Sequence, residues 1–271
     1  MGAGTSSAQN VEIALKAIDA SIQILTLLIK LVQEFKSRPK NSIAIEENYV
    51  EAVNDARKSH GIDSDGYFNF GFAGRVNTGK SSLINALRGM KDNDPGAARV
   101  GITDTTYNVV NYSYPDYPYV KLFDLPGSGS LARDATTYFS DLYLCAFDCL
   151  IILTEGSIGE EELQFARKAR SYNQAVCFVR SRCDQDMANL KENCVIEEIN
   201  EESISEFIEN TAEYYKNQLN MNAPDLTQVP CFFISSRSMY KFIRKMPTML
   251  YQEAEFLKYI VQMSLTRRGQ L

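Results

Sequence analysis

The sequence predicts an α/β fold: a doubly wound, mostly parallel sheet with helical segments at both ends. Three observations predict it. Short apolar runs alternate with amphipathic stretches between residues 67 and 234. One run, Cys149–Thr154, is apolar and β-branched, the pattern of a parallel strand buried on both faces. A Gly-rich turn at residues 74–79 joins the first run to a helical stretch, and ligands in such sheets sit at the C-terminal ends of the strands.

The elements follow in order. Val11, Leu15, Ile18, Ile22, Leu25, Ile29 and Val32 recur at alternating four- and three-residue steps, which predicts an amphipathic helix. Ile24, Leu28, Leu31 and Phe35 widen its apolar face, and Pro39 ends it. A second helix is predicted over 43–59, before a Gly/Asp-rich turn at 61–66. Strands are predicted at 67–73, 106–114, 119–124, 149–154, 175–179 and 231–234, and helices at 80–90, 134–146 and 160–172. Ile204, Phe207, Ile208, Thr211, Ala212, Tyr215 and Leu219 mark one face of a further helix. The last segment, 240–265, reads as helical with Pro247 near a helix start. Three parts result: an N-terminal tip and amphipathic helix (1–48), a central domain (49–236) and a C-terminal helical segment (237–271).

Composition narrows the function. The 271 residues, 45% apolar and 23% charged, match an ordinary globular chain and exclude collagen, a mainly disordered chain and a disulfide mini-protein. The 28 Lys and Arg against 34 Asp and Glu argue against nucleic acid as the main partner. A single histidine, His60, leaves no His-based triad or His-rich metal site; it is expected to be solvated in a polar loop. Six cysteines without C-x-x-C spacing, several in apolar runs, point to a reducing, cytoplasmic setting. The longest apolar run near the N-terminus, residues 20–29, is too short to span a membrane, and the first ten residues lack secretory-signal features.

The strongest motif is Gly74-Arg75-Val76-Asn77-Thr78-Gly79-Lys80-Ser81, which fits G-x4-G-K-[ST]. Its glycines let the backbone wrap so that several N–H groups point at one phosphate, and the helix that follows aims its positive end at the anion. Lys80 is placed to reach the β- and γ-phosphates and Ser81 to ligate Mg²⁺; Ser82 is a further candidate nucleotide contact. Asp124-Leu125-Pro126-Gly127 ends the strand 119–124. An Asp there supports the Mg²⁺ site and the Gly127 N–H can sense the γ-phosphate. Ser181-Arg182-Cys183-Asp184 follows the strand 175–179. There a carboxylate, Asp184, can accept hydrogen bonds from guanine N1–H and N2–H₂, while Arg182 covers the base. Ser235-Ser236 sits where a loop at the edge of the base would fall. The loop Gly101-Ile102-Thr103-Asp104-Thr105-Thr106 is where a switch threonine on Mg²⁺ belongs; Thr106 is the first candidate, with Thr105 and Thr103 behind it.

Together these motifs resemble the immunity-related GTPases, the interferon-inducible GTPase family. The resemblance rests on Gly74–Ser81 continuing as Ser82-Leu83-Ile84-Asn85-Ala86-Leu87-Arg88-Gly89, on Phe123-Asp124-Leu125-Pro126-Gly127, and on Phe178-Val179-Arg180-Ser181-Arg182-Cys183-Asp184. It covers about residues 45–236. The third motif departs from the family's F-V-R-[ST]-K-x-D in carrying Arg for Lys, which keeps charge and a long stem but not the same geometry.

The resemblance implies a Ras-like P-loop GTPase domain that binds GTP and GDP with Mg²⁺. It implies slow hydrolysis alone and faster hydrolysis once G domains pair in a GTP-bound homodimer or oligomer. It makes Lys80, Thr106 and Asp104 the catalytic candidates, Asp104 standing where the family has a Glu that acts across the dimer. Ser128, not Gln, follows Gly127, so a water-positioning Gln of the Ras kind is missing. Lys80 places the chain with members that assemble on target membranes. Only 35 residues follow Ser236, so a short form without the family's large C-terminal helical domain is expected.

Met1-Gly2-Ala3-Gly4-Thr5-Ser6 matches the N-myristoylation pattern at Gly2. One acyl chain anchors only marginally, so the expected location is cytoplasmic with peripheral contact to intracellular membranes. Two other readings stay open. A nucleotide-sensing scaffold with little hydrolysis fits the shorter Asp104, and an ATP-using P-loop enzyme fits the imperfect guanine motif.

Overall fold

The computed structural model describes residues 47–101, 108–128 and 137–266. The amphipathic helix predicted over 11–35, the acylation candidate Gly2 and the switch-loop candidates Thr103, Asp104, Thr105 and Thr106 lie outside the described residues.

Among the described residues six strands form one sheet in the order β2-β3-β1-β4-β5-β6. They are β1 (Phe68–Ala73), β2 (Val110–Tyr114), β3 (Tyr117–Asp124), β4 (Cys149–Thr154), β5 (Ala175–Arg180) and β6 (Cys231–Phe233). Only β2 runs antiparallel, paired with β3; all other neighbours are parallel. Every residue of β1 and β4 is buried, as their largely apolar character allows of central strands; Asn69 and Thr154 are the buried polar exceptions. Along β4 the side chains alternate: Leu150 and Ile152 join one core, and Cys149, Ile151 and Leu153 the other.

Among the described residues eight α-helices cover the two faces: α1 (Tyr49–His60), α2 (Lys80–Leu87), α3 (Tyr138–Asp141), α4 (Glu160–Ser171), α5 (Cys183–Glu192), α6 (Glu201–Asn222), α7 (Ser236–Ile243) and α8 (Glu253–Thr266). One face carries Ala56 of α1, Leu163 and Phe165 of α4, and Tyr215 and Leu219 of α6. The other carries Leu83 and Ile84 of α2, Met239 of α7, and Phe256 and Ile260 of α8. Each large apolar side chain so buried stabilises the fold by roughly 1.5–3 kcal/mol. The C-terminal helical segment thus packs on the same layer as the helix after the Gly-rich loop.

Three local readings change. The segment 240–265 is not one helix. Lys245 is left-handed (φ 54°), Pro247 lies in the connection, and α8 starts only at Glu253. The helix predicted over 134–146 is, among its described residues, the single turn α3 and a 3₁₀ turn, Leu144–Ala146, separated by left-handed Tyr143 (φ 47°). His60 ends α1 instead of standing solvated in a loop. Its Nε2 is 2.7 Å from the Leu142 carbonyl and its ring stacks on Phe147 at 5.7 Å.

Candidate functional site

The loops at the C-terminal ends of β1, β3, β5 and β6 carry the candidate residues. The loop after β1 needs glycine at both ends. Gly74 has φ 133°, and a Cβ there would lie 2.4 Å from the Leu153 carbonyl oxygen of β4. Gly79 has φ 85° and precedes α2. Between them, Asn77 is also left-handed (φ 67°). Thr78 Oγ1 donates to the Arg75 carbonyl at 2.9 Å, which closes the turn. Lys80 is buried, and its ammonium donates to the carbonyls of Gly74 (3.0 Å) and Arg75 (2.8 Å). A cation at the mouth of a loop of backbone N–H groups is the arrangement a phosphate chain requires. Arg75 itself is exposed and lies 3.6 Å from Glu161.

The loop after β3 is clamped onto the first. Ser128 N–H donates to the Gly74 carbonyl at 3.2 Å, and Val76 N–H donates to the Ser128 carbonyl at 3.3 Å. At Gly127 a Cβ would meet Val76 atoms at 2.6–2.8 Å, so only glycine allows this approach. Ser81 Oγ donates to Asp124 Oδ2 at 2.6 Å. These two predicted Mg²⁺ ligands, 43 residues apart, are therefore brought together. A hydroxyl and a carboxylate beside a phosphate loop form a hard-oxygen donor set, and they fit Mg²⁺, which binds through one or two protein oxygens plus phosphate oxygens and water. Ser82 points elsewhere: its hydroxyl donates to Asp92 at 3.1 Å.

The loop after β5 touches the first loop from the other side. Ser181 is buried, and its Oγ donates to the Thr78 carbonyl at 2.7 Å. Arg182 is left-handed (φ 61°) and caps α5. Its guanidinium donates to the Asn77 carbonyl and to Glu155 at 2.7 Å. Asp184 then lies in the first turn of α5, a helix that is not among those the sequence predicts. The backbone joins this segment to β6: Cys183 N–H donates to the Ile234 carbonyl at 3.1 Å, and Ile234 N–H to the Arg180 carbonyl at 2.9 Å.

Ser235 and Ser236 therefore follow directly beside Asp184. Ser235 is buried and used structurally: its Oγ accepts the Ser238 N–H at 3.2 Å and so caps α7. Ser236 is half-buried at the first position of that helix. Arg237, which the sequence reading missed, comes within 3.6 Å of Asp184. Its only sequence signal was its place one residue beyond the expected base loop. A cavity of about 380 Å³ adjoins the first loop, lined by Arg75, Val76, Thr78, Ser128, Glu155 and Glu162 among others.

A doubly wound sheet with one antiparallel edge strand, a Gly-bounded loop cradling a lysine, and a Ser–Asp pair beside it define a P-loop nucleotide-binding domain of the G-domain class. The profile of the family described as Interferon-inducible GTPase (IIGP) matches residues 42–267, and the chain belongs to that family. It is 37% identical over 118 residues to Interferon-inducible GTPase 5 of Rattus norvegicus (44% of this chain, 26% of that protein). It is 28% identical over 230 residues to T-cell-specific guanine nucleotide triphosphate-binding protein 2 of Mus musculus (84% of this chain, 51% of that protein). The chain thus spans from about a quarter to about half of the length of these relatives. A solved bacterial selenocysteine-specific elongation factor, EF-Sec, aligns with a TM-score of 0.44 and 18% identity over 74% of this chain and 29% of that one.

Proposed function

We propose that this domain binds GTP and GDP with Mg²⁺ and hydrolyses GTP, slowly alone and faster when G domains pair. The observation that carries the reading is the convergence of Lys80, the Ser81–Asp124 pair and Asp184 at one end of the sheet, with Ser181 tying the base side to the phosphate loop. Ser81 and Asp124 are the residues to hold Mg²⁺, joined by a threonine of the 103–106 loop. When bound, the ion supplies positive charge against the phosphate oxygens.

The chain's own groups do the rest. Lys80 and the N–H groups of residues 75–80 neutralise charge that grows on the phosphates as the γ-group is transferred to water. Gly127, in contact with Val76, couples the loop after β3 to the presence of that group. Asp184 selects guanine by accepting from N1–H and N2–H₂, and Arg182 shields the base. Slow intrinsic hydrolysis is supported by Ser128. It stands where a water-orienting Gln would, is buried, and has its N–H committed to Gly74.

The interferon-inducible names of its relatives support a role in interferon-linked defence; pairing through G domains belongs to the same proposal. Acylation of Gly2 and peripheral contact with intracellular membranes complete this reading; among the described residues no helix is long and apolar enough to cross a membrane. The test is single-turnover GTP hydrolysis at low and high protein concentration, beside competition of GTP with ATP. A rate per molecule that rises with concentration is expected. A flat, near-zero rate would leave a GTP-sensing scaffold, and equal competition by ATP would overturn the base assignment.

A further inference from the structure

The loop beside Asp184 is held by a side chain at the start of the last described helix. Glu253, the first residue of α8, is fully buried. Its Oε1 accepts the Ser235 N–H at 2.8 Å and its Oε2 accepts the Tyr251 N–H at 2.6 Å. Gln252 forms a second clamp just before it: its N–H donates to the Phe233 carbonyl at 3.0 Å, and its Oε1 accepts the Phe233 N–H at 3.0 Å. Phe256 and Ile260 then anchor α8 in the core that also contains Ile234 and Met239. The start of α8 is therefore stitched along β6, and its last stitch falls on the base loop.

The choice of residue matters. Burial pushes the Glu253 carboxyl up to about 7, so this position is electrostatically unfavourable for an acid. An apolar residue would pack there without that penalty, but it would leave two buried N–H groups without acceptors. One of those two is on the base loop. Guanine presents N1–H and N2–H₂ as donors and O6 as an acceptor on one edge. Asp184 answers the donors, and O6 needs an N–H. The Ser235 N–H is committed to Glu253, and Ser235 Oγ caps α7 at Ser238. The Ser236 N–H, at the first position of the helix, has no acceptor within that helix.

We propose that Glu253 is a positioning residue for base recognition, fixing the Ser235 N–H so that the Ser236 N–H meets guanine O6 while Asp184 meets N1–H and N2–H₂. This rests on the guanine-nucleotide reading above. It predicts that Glu253 controls one hydrogen bond to the base and not the affinity for phosphates or the 2-amino group.

The experiment is calorimetric titration of the full chain with GDP, 6-thio-GDP (a poor acceptor at position 6) and IDP (no 2-amino group). Wild type, Glu253→Ala, Glu253→Asp and the control Gln252→Ala are compared, each with a thermal melt. In wild type, GDP binds more tightly than either analogue. In Glu253→Ala, GDP affinity falls about fivefold or more while 6-thio-GDP affinity hardly changes, so that ratio collapses and the GDP/IDP ratio stays. Glu253→Asp, one methylene short of both N–H groups, gives the same pattern in a chain that keeps its carboxylate. Gln252→Ala lowers the melting temperature and leaves both ratios intact. If all three nucleotides weaken by one factor in the Glu253 variants, or none weakens, Glu253 is only structural and the proposal is overturned. If wild type itself fails to prefer GDP over IDP, the guanine reading is what has failed.

Discussion

Ser181 Oγ donates a 2.7 Å hydrogen bond to the carbonyl of Thr78, 103 residues away in sequence. The loop after β5 and the loop after β1 are thereby one unit, and a serine does here what the family motif allows of Ser or Thr. Ser181→Ala leaves the Thr78 carbonyl without this donor. The expected loss is about 1–3 kcal/mol of stability in urea unfolding, with faster GDP release. Unchanged release with the full stability loss would show that the bond serves only the fold.

Two glycines with positive φ differ in surroundings. At Gly74 (φ 133°) an added Cβ would lie 2.4 Å from backbone of β4; at Gly156 (φ 80°) it would meet nothing within 4 Å. Gly156→Ala should destabilise by only about 1–2 kcal/mol, the strain of a left-handed alanine. Gly74→Ala must also displace β4 or the loop, and a loss above about 3 kcal/mol with abolished nucleotide binding is expected. Equal effects in chemical denaturation would show that the close approach of loop and β4 is not tight.

Asp184 lies in the first turn of α5, and Arg237 comes within 3.6 Å of it. Asp184→Asn exchanges an acceptor-only carboxylate for an amide that can also donate. Guanine then loses a charge-assisted pair of hydrogen bonds, about 3 kcal/mol or roughly 100-fold in affinity. Xanthine, with a carbonyl where guanine has its amine, gains. Competition of XTP against GTP reads this directly. Arg237→Ala is expected to change global stability by less than about 0.5 kcal/mol, because Arg237 is largely exposed.

What was legible in the sequence was local. The phosphate loop and Asp124 sit at the ends of apolar strands and Asp184 four residues beyond one, so pattern and spacing suffice to place them. The Ser81–Asp124 contact follows from the parallel pairing of β1 with β3. What was not legible depended on long-range contacts. The break at 244–252 keeps an apolar helical pattern on both sides, yet Gln252 is drawn into hydrogen bonds with Phe233 of β6. Ser235 reads as a possible base contact in sequence, but its hydroxyl is spent on capping α7. Arg182, Asn77 and Glu155 meet only because three loops converge.

Glu253 also sets a pH dependence whose sign can be worked out. Burial is the main cause of its rise from 4.5 to about 7; Glu255 adds repulsion, and the N–H groups of Ser235 and Tyr251 oppose the rise. Cys183 and Tyr251 nearby are pushed upward by burial and stay neutral throughout this range. The folded state therefore holds the Glu253 proton more tightly than the unfolded state does. Between pH 4.5 and about 7 the folded chain binds more protons at this site, so its contribution to stability falls as pH rises through that window. The full difference corresponds to about 3 kcal/mol. Urea unfolding of wild type at pH 5, 6, 7 and 8 should show this decline, flattening above the folded-state value. Glu253→Gln has no proton to lose, so the part of the slope between pH 5 and 7 that belongs to this group disappears, whatever the variant's absolute stability. If wild type and Glu253→Gln lose stability in parallel across those pH values, the buried carboxyl titrates normally and the assigned environment of Glu253 is wrong.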